Sequence, residues 1–511
     1  MGGYSYLHNM NNYASKPFSA LFNYRNTGPH RIADHLWNHG YDTEVVDYST
    51  FFSADDLRTL LAHRIKNGVQ YIGVSYTFLA EWSGNISSLY QYLKQEFPNV
   101  LLMVGGQNFG MEVNLNADVY IEGFAENNFV SVLDAQFKGK EWPRHQWYFD
   151  DTARYIDSIH TNPSWPLPSY SLRLTDEDFL TSQDVLSLEL ERGCRFKCKF
   201  CEFPILGVKE DYSIEEDIIY DELLSNYERF GIKHYFISDE TINARDTKLK
   251  SLANAVQRLP FEPMLNGFVR LDLFHKNTDS IQMLIDGNVI GHHYGIETFH
   301  EQAGKIVGKG YDPEKNKDML LQVRDMFKEQ GRPFHGTISM IAGLPTQTVE
   351  SIYSDMQWYR DHYRDNHMHW YALNISNEDG SSGSNISAFG TDFSKYGFEV
   401  MSENEFMSKI DGKMKRHLGN DITYEELSKV TKLWKNPIMD TIDAWDLVHE
   451  FNVNQGLGMS SWTAIAAMAA GFDGIDEFDH NSYTPLWDSI IETSHTHIQN
   501  YIDNKMLTCY M

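Results

Sequence analysis

The chain has 511 residues, 42% of them hydrophobic and 14% aromatic, which is enough apolar material for two or three folded domains and excludes a disordered chain. A formal charge of −28 with no basic stripe argues against nucleic acid as a partner, because phosphate binding needs a concentrated cationic face. No apolar run reaches the roughly 18–20 residues that span a bilayer, and MGGYSYLHNMNNYASKPF at the start lacks the regions of a signal peptide. A cytoplasmic location, where thiols stay reduced, is therefore expected.

From about residue 17 to 140, short apolar runs alternate with amphipathic stretches. FSALFNY (18–24), DTEVVDY (42–48), YIGVSY (71–76), VLLMVGGQ (100–107) and ADVYIEG (117–123) read as strands. HRIADHLWNHG (30–40), DDLRTLLAHRIKNG (55–68), NISSLYQYLKQEF (85–97) and AENNFVSVLDAQF (125–137) read as helices. Strict alternation predicts a doubly wound, Rossmann-like parallel sheet over residues 1–140. Such sheets bind ligands at the carboxyl ends of their strands, where Ser75, Gly105, Gly106 and Gly123 lie. Residues 141–184, with TNPSWPLPSYSL inside, read as a linker rich in Pro, Ser and aromatic residues.

A second α/β series opens at VLSLELERG (185–193) and runs through HYFISDE (234–240), MLNGFVRLD (264–272), IGHHYGIET (290–298) and FHGTISMIAG (334–343), with helical stretches between. This predicts a partial or complete parallel α/β barrel over residues 185–365, of the TIM-like kind that carries its chemistry at the strands' carboxyl ends. Beyond it, NISNEDGSSGSNIS reads as a polar loop, while TYEELSKVTKLW, WTAIAAMAA and LWDSIIETSHTHIQNYID suggest a mainly helical region over 366–511.

Only four cysteines occur, and Cys194, Cys198 and Cys201 fall within eight residues just past the first barrel strand. Reduced, closely spaced thiols point to a metal. Zinc wants four ligands, and the fourth cysteine, Cys509, lies in the distant LTCYM, so a zinc site closed by Cys509 or a histidine is one reading. An iron–sulfur cluster on three thiolates, which leaves one iron open, is the other.

C-x-x-x-C-x-x-C with Phe200 before the last cysteine resembles the radical S-adenosylmethionine (radical SAM) superfamily. The resemblance implies a [4Fe–4S] cluster on Cys194, Cys198 and Cys201, with the amino and carboxylate groups of S-adenosylmethionine on the fourth iron. It also implies reductive cleavage to a 5′-deoxyadenosyl radical, with the electron supplied by a donor such as a flavodoxin or ferredoxin. YFISDETIN is similar to the family segment that receives the cofactor's amino group, which implies roles for Ser238, Asp239 and Glu240. YGIETFHEQAGKIVGKG resembles the Gly-Ile-Glu-Ser run, with Thr298 for Ser, and implies that Glu297 accepts from the ribose hydroxyls. GTISMIAGLPTQT, with Ser339, resembles the fifth-strand region that borders the adenine. VRLD with Arg270 and Lys309-Gly310 fit the same pattern, Arg270 as a cofactor or substrate contact.

The amino-terminal domain resembles that of the family's cobalamin-binding branch, through MVGGQNF, a degenerate IEGFAENNF and GVSYTF. The resemblance implies that Ser75, Gly105, Gly106 and Gly123 contact cobalamin. The Asp-x-His-x-x-Gly motif that would supply a cobalt ligand is absent, since His30, His35 and His39 lack that spacing. The family reading is a cobalamin-dependent enzyme that methylates an unactivated carbon of a small molecule or peptide. Non-methylating radical chemistry and a catalytically silent, zinc-stabilised binding protein are the alternatives. His292, His293, His367 and His369 lie on two predicted strands, where the His-x-His pair shares a face and could bind metal.

Overall fold

The computed structural model describes residues 24–25, 27–76, 83–106, 114–149, 151–158, 172, 174–201, 214–309, 312–375, 387–410, 423–454, 460–472 and 483–510. The chain divides into two compact units, Arg25–Leu180 with His495–Met511, and Thr181–Ser494, which takes in Tyr24 as well.

In the first unit the strands are β1 (Tyr71–Ser75), β2 (Leu101–Gly106), β3 (Val119–Glu122), β4 (Gln146–Tyr148) and β5 (Ala153–Asp157), ordered β1-β2-β3-β5-β4. All neighbours pair in parallel except β4 with β5. Strand β2, LLMVGG, is apolar throughout because both of its faces are covered. Leu102 and Val104 pack with Tyr90 and Leu93 of the helix Ser83–Glu96. Leu101 and Met103 pack with Leu36 of Thr27–Asn38 and with Phe129, Val132 and Leu133 of Glu126–Lys138. The doubly wound layering expected for this region is thus present.

Two details differ from the sequence reading. Strand FSALFNY lies outside the described residues apart from Tyr24, but DTEVVDY is described and is not a strand. Its backbone is taken by side chains instead: the Asp47 N–H donates to the Tyr501 hydroxyl at 2.8 Å, and Val45 O accepts from Lys505 Nζ at 3.0 Å. The Asp47 carboxylate in turn pairs with Arg25 at 3.1 Å and His30 at 2.9 Å, all buried. Residues 146–148 and 153–157, read as linker, extend the sheet beyond β3, while TNPSWPLPSYSL lies outside the described residues except Leu172.

The second unit is built on β6 (Val185–Leu188), β7 (His234–Ile237), β8 (Met264–Val269), β9 (Val289–Glu297), β10 (His335–Ala342) and β11 (His367–Ala372). Each strand pairs in parallel with the next, giving the sheet order β11-β10-β9-β8-β7-β6 of a partial (β/α)6 barrel. Helices Glu216–Phe230, Asp246–Gln257, Asp279–Asp286, Pro313–Glu329 and Val349–His362 fall between the strands. His292 shows which face meets them, packing at 5.2 Å from the rings of both Phe327 and Phe334.

The opposite face receives the helix Ser461–Ala469 from the C-terminal region. Ile465 and Ala469 join Val185 and Ile290 in one core, and the Trp462 ring lies 5.3 Å from Phe236, 5.6 Å from Phe268 and 5.4 Å from His293. The Ser461 N–H donates to Thr337 Oγ1 at 2.8 Å. The polar loop expected after β11 lies outside the described residues over 376–386.

One glycine fixes how β10 ends. Gly343 has φ +101°, and a Cβ there would come within 2.3 Å of the fully buried Trp434 ring. Gly343→Ala is therefore expected to cost about 3 kcal/mol, from overlap and left-handed strain together. The check is a urea midpoint that falls at unchanged slope.

Candidate functional site

The cysteine loop leaves β6 through a charged floor that water does not reach. Glu189, Leu190, Glu191 and Arg192 are all buried. Asp239, just past β7, accepts the Leu190 and Glu191 N–H groups on Oδ1 at 2.9 and 3.1 Å. Its Oδ2 takes the Lys248 ammonium at 2.8 Å, and Lys248 also reaches Glu191 at 3.2 Å and Thr241 O at 2.9 Å. Lys248 is 1% exposed. Burial works against its charge, and the two carboxylates outweigh it, so its pKa lies above the usual lysine range.

Gly193, at φ +92°, then turns the chain into Cys194. The Cys201 N–H donates to Cys198 O at 3.2 Å, and the Lys199 N–H to Val307 O at 3.1 Å, which pins the loop to the end of the helix Glu301–Val307. None of the three cysteines is in a disulfide, and each is partly exposed. Burial pushes the Cys194 thiol up, and the nearby Glu240 carboxyl pushes it further.

The residues expected to meet S-adenosylmethionine do not all play the same part. Ser238 Oγ donates to Leu188 O at 3.4 Å, and Ser339 Oγ lies 2.6 Å from His293 Nε2. Asp239 is committed to the loop and Lys248, as described. Glu240 differs: its Oε2 is cut off from solvent and has no hydrogen-bond partner. Burial, reinforced by Asp239, pushes the Glu240 pKa up to about 8. Glu297 ends β9 with φ +70°, a strained conformation for a residue with a side chain. Its Oε1 accepts from Lys309 Nζ at 2.7 Å, and Lys309 also donates to Gly295 O at 2.6 Å. The Lys309 ammonium lies 5.6 Å from the centre of the Phe200 ring. Arg270 sits at the end of β8, buried, and donates to Cys198 Sγ at 3.5 Å.

These groups converge because parallel strands present their carboxyl ends on one edge: the loop after β6, Asp239 and Glu240 after β7, Arg270 after β8, and Glu297 at the end of β9. Residues 188–359, the span that carries all of them, match the family model of the radical SAM superfamily. The barrel belongs to the radical SAM superfamily. A radical SAM domain implies a [4Fe–4S] cluster and S-adenosylmethionine, and the donor set fits both: three thiols on one loop, and beside them a buried carboxyl oxygen without a partner. Among the described residues, no three His, Cys, Asp or Glu side chains gather around a single ion position. A cubane does not require it, since its thiolates bind separate irons.

Beyond the domain, the chain is similar in structure to the radical S-adenosylmethionine methyltransferase TsrM from Kitasatospora setae, at TM-score 0.59 and 13% identity over 75% of this chain and 76% of that one. It is also similar to the cobalamin-dependent S-adenosylmethionine radical enzyme OxsB, at TM-score 0.51 and 12% identity over 96% of this chain and 82% of that one. At such identities the likeness is one of fold. No curated protein matches the chain by sequence.

In the unit that carries β1–β5, Ser75 pairs with Gly105 in register, and the Gly123 N–H donates to Gly106 O at 2.8 Å, so the four expected residues share the carboxyl edge of β1–β3. Gly105 serves helix packing as well, since a Cβ there would lie 3.3 Å from the Phe129 ring. His30 is taken by Asp47, and His39 Nδ1 lies 2.8 Å from His35 O. No helix among the described residues is long and apolar enough to cross a membrane.

The histidine pairs separate. His292 lies on the helix-covered face, while His293 turns to the other, beside Ser339 and Trp462. The rings of His367 and His369 stack at 6.0 Å. Cys509 packs with Ile498, Tyr501 and Ile502, and burial pushes its thiol up.

The motifs in the sequence do not single out Lys248, although its place on the helix carries a signal. In DTKLKSLANAV it shares the apolar stripe with Leu249, Leu252 and Val256, and a lysine on a helix's core face implies a buried ion pair. Asp272, two residues after Arg270 in VRLD, carries a similar signal, since an acid that close to an arginine is a local pairing partner.

Proposed function

We propose that this chain is a cobalamin-dependent radical SAM enzyme that methylates an unactivated carbon of a small molecule or peptide. The observation that carries the reading is the pairing of the Cys194-Cys198-Cys201 loop with the unpartnered Glu240 Oε2 on the same strand edge. Cys194, Cys198 and Cys201 would hold the cluster, which would supply the electron for reductive cleavage of S-adenosylmethionine. Glu240 accepts from the cofactor's amino group, for which a buried carboxyl oxygen is a strong acceptor. Glu297, oriented by Lys309, accepts from the ribose hydroxyls. Asp239 and Lys248 keep the loop in place, and Phe200 and Ser339 border the cofactor. Ser75, Gly105, Gly106 and Gly123 offer the strand edge that would hold cobalamin, in keeping with the fold shared with TsrM and OxsB, whose structures are described with cobalamin bound. The electron donor is of the flavodoxin or ferredoxin class, and the acidic surface disfavours nucleic acid as substrate.

Anaerobic reconstitution with iron, sulfide and hydroxocobalamin tests this. The expected outcome is the visible absorption of a cysteine-bound cluster, a corrinoid that co-purifies, and 5′-deoxyadenosine formed on reduction. Methyl-labelled S-adenosylmethionine then passes label to the product. Deoxyadenosine without label transfer would favour cyclisation, ring contraction or rearrangement. Uptake of zinc with no deoxyadenosine would favour the binding-protein reading.

A further inference from the structure

The Arg270 guanidinium is held on three sides. Nε and Nη2 fork onto the Asp272 carboxylate at 2.7 and 3.0 Å, and Nη2 also donates to Gly308 O at 3.0 Å. Its Cζ lies over the ring of Phe196, on the cysteine loop itself, 4.0 Å from the ring centre. The remaining nitrogen, Nη1, is thereby aimed at Cys198 Sγ, 3.5 Å away. A guanidinium keeps its charge at any working pH, so this is a permanent donor to a single sulfur. Lys309, a second cation that Cys198 interacts with, spends its charge on Glu297.

We propose that Arg270 is a positioning residue that sets the reduction potential of the cluster through Cys198, with Asp272 governing how much of the guanidinium charge the cluster feels. This role rests on the cluster assignment above. Reduction adds one electron from a low-potential donor, with no bond made or broken, and the added negative charge spreads onto the ligand sulfurs. An N–H donor to such a sulfur strengthens as that charge grows, so it favours the reduced form and raises the potential. Asp272 opposes this by neutralising part of the guanidinium charge. Removing the arginine and removing its carboxylate partner therefore act in opposite directions, although both break the same ion pair.

An EPR-monitored redox titration of the reconstituted full chain decides the matter, comparing wild type with Arg270→Gln, Arg270→Lys and Asp272→Asn. Arg270→Gln is expected to shift the midpoint to more negative potential, lowering the reduced-to-oxidised ratio at fixed potential about tenfold, or about 59 mV for a one-electron couple. Arg270→Lys, which keeps the charge but loses the fork, falls between Gln and wild type. Asp272→Asn shifts the midpoint the other way. If the two pair-breaking variants move together, Arg270 is a structural clamp and the proposal fails; it fails equally if a cluster assembles and neither variant moves its potential. A wild-type chain that assembles no cluster overturns the cluster assignment along with this role. Should Arg270→Gln not retain its cluster, opposite shifts in Arg270→Lys and Asp272→Asn support the proposal, and shifts in the same direction defeat it.

Discussion

Lys248→Met is expected to destabilise the barrel unit by about 3–5 kcal/mol, the cost of breaking a buried ion pair from one side. The substitution takes from the buried Asp239 and Glu191 carboxylates the ammonium that lies within 2.8 and 3.2 Å of them. The damage should not stop at stability. Asp239 Oδ1 holds the Leu190 and Glu191 N–H groups, four and three residues before Cys194, so a carboxyl that protonates or moves loosens the start of the cysteine loop. Urea unfolding gives the stability loss, and iron per chain after reconstitution gives the second effect, expected to fall well below wild type. The companion substitution Lys248→Met/Asp239→Asn should recover part of the stability, because it removes one of the stranded charges. A Lys248→Met chain as stable as wild type would mean that the ammonium is not the counter-ion of this floor.

Glu240→Gln should separate function from stability. The carboxyl is pushed up to about 8 by burial, so in the folded chain it holds its proton over a range in which the unfolded chain has lost it. Stability therefore falls as pH rises from about 4.5 to about 8, and the deficit stays at its full value above that. Glutamine has no proton to lose, so the cofactor-free variant is expected to be more stable than wild type above pH 8, by up to about 5 kcal/mol at about 1.4 kcal/mol per pKa unit. Binding runs the opposite way. In wild type the carboxylate accepts from the amino group of S-adenosylmethionine, so affinity tightens as pH rises toward about 8, by up to tenfold per unit. In the variant affinity is weaker, and that part of the slope disappears. Titration of the cofactor's own amine is common to both proteins, so the difference in slope between them, read by calorimetry from about pH 6 to 8.5, isolates Glu240. Loss of stability in Glu240→Gln together with unchanged binding would make the residue an ordinary core group.

Much of the site could be read along the chain because its chemistry is local. Cys194, Cys198 and Cys201 sit on one loop, so their spacing alone announces a shared metal. The strand–helix alternation that puts Glu240, Arg270 and Glu297 after successive strands is likewise a short-range pattern, and parallel pairing carries all three to one edge. What could not be read is the division of labour between neighbours. Asp239 and Glu240 are adjacent acids in SDE, yet one serves the loop and the other keeps a bare oxygen, a difference made by Lys248 on the following helix. His292 and His293 face opposite ways because strand residues alternate, and only the positions of Phe327 and Trp462 reveal which face is which.

The sequence by itself determined the local periods, the parallel α/β class and the cysteine spacing, because each follows from steric and hydrophobic rules acting over a few residues. Tertiary structure decided the rest. DTEVVDY has the composition of a strand, but Tyr501 and Lys505, more than 450 residues away, take its backbone hydrogen bonds. WTAIAAMAA has the period of a helix, but nothing in it says that it covers the inner face of the barrel sheet. Hydrogen bonding and apolar burial reward whichever partner completes them, and when that partner lies hundreds of residues off, no local pattern can name it.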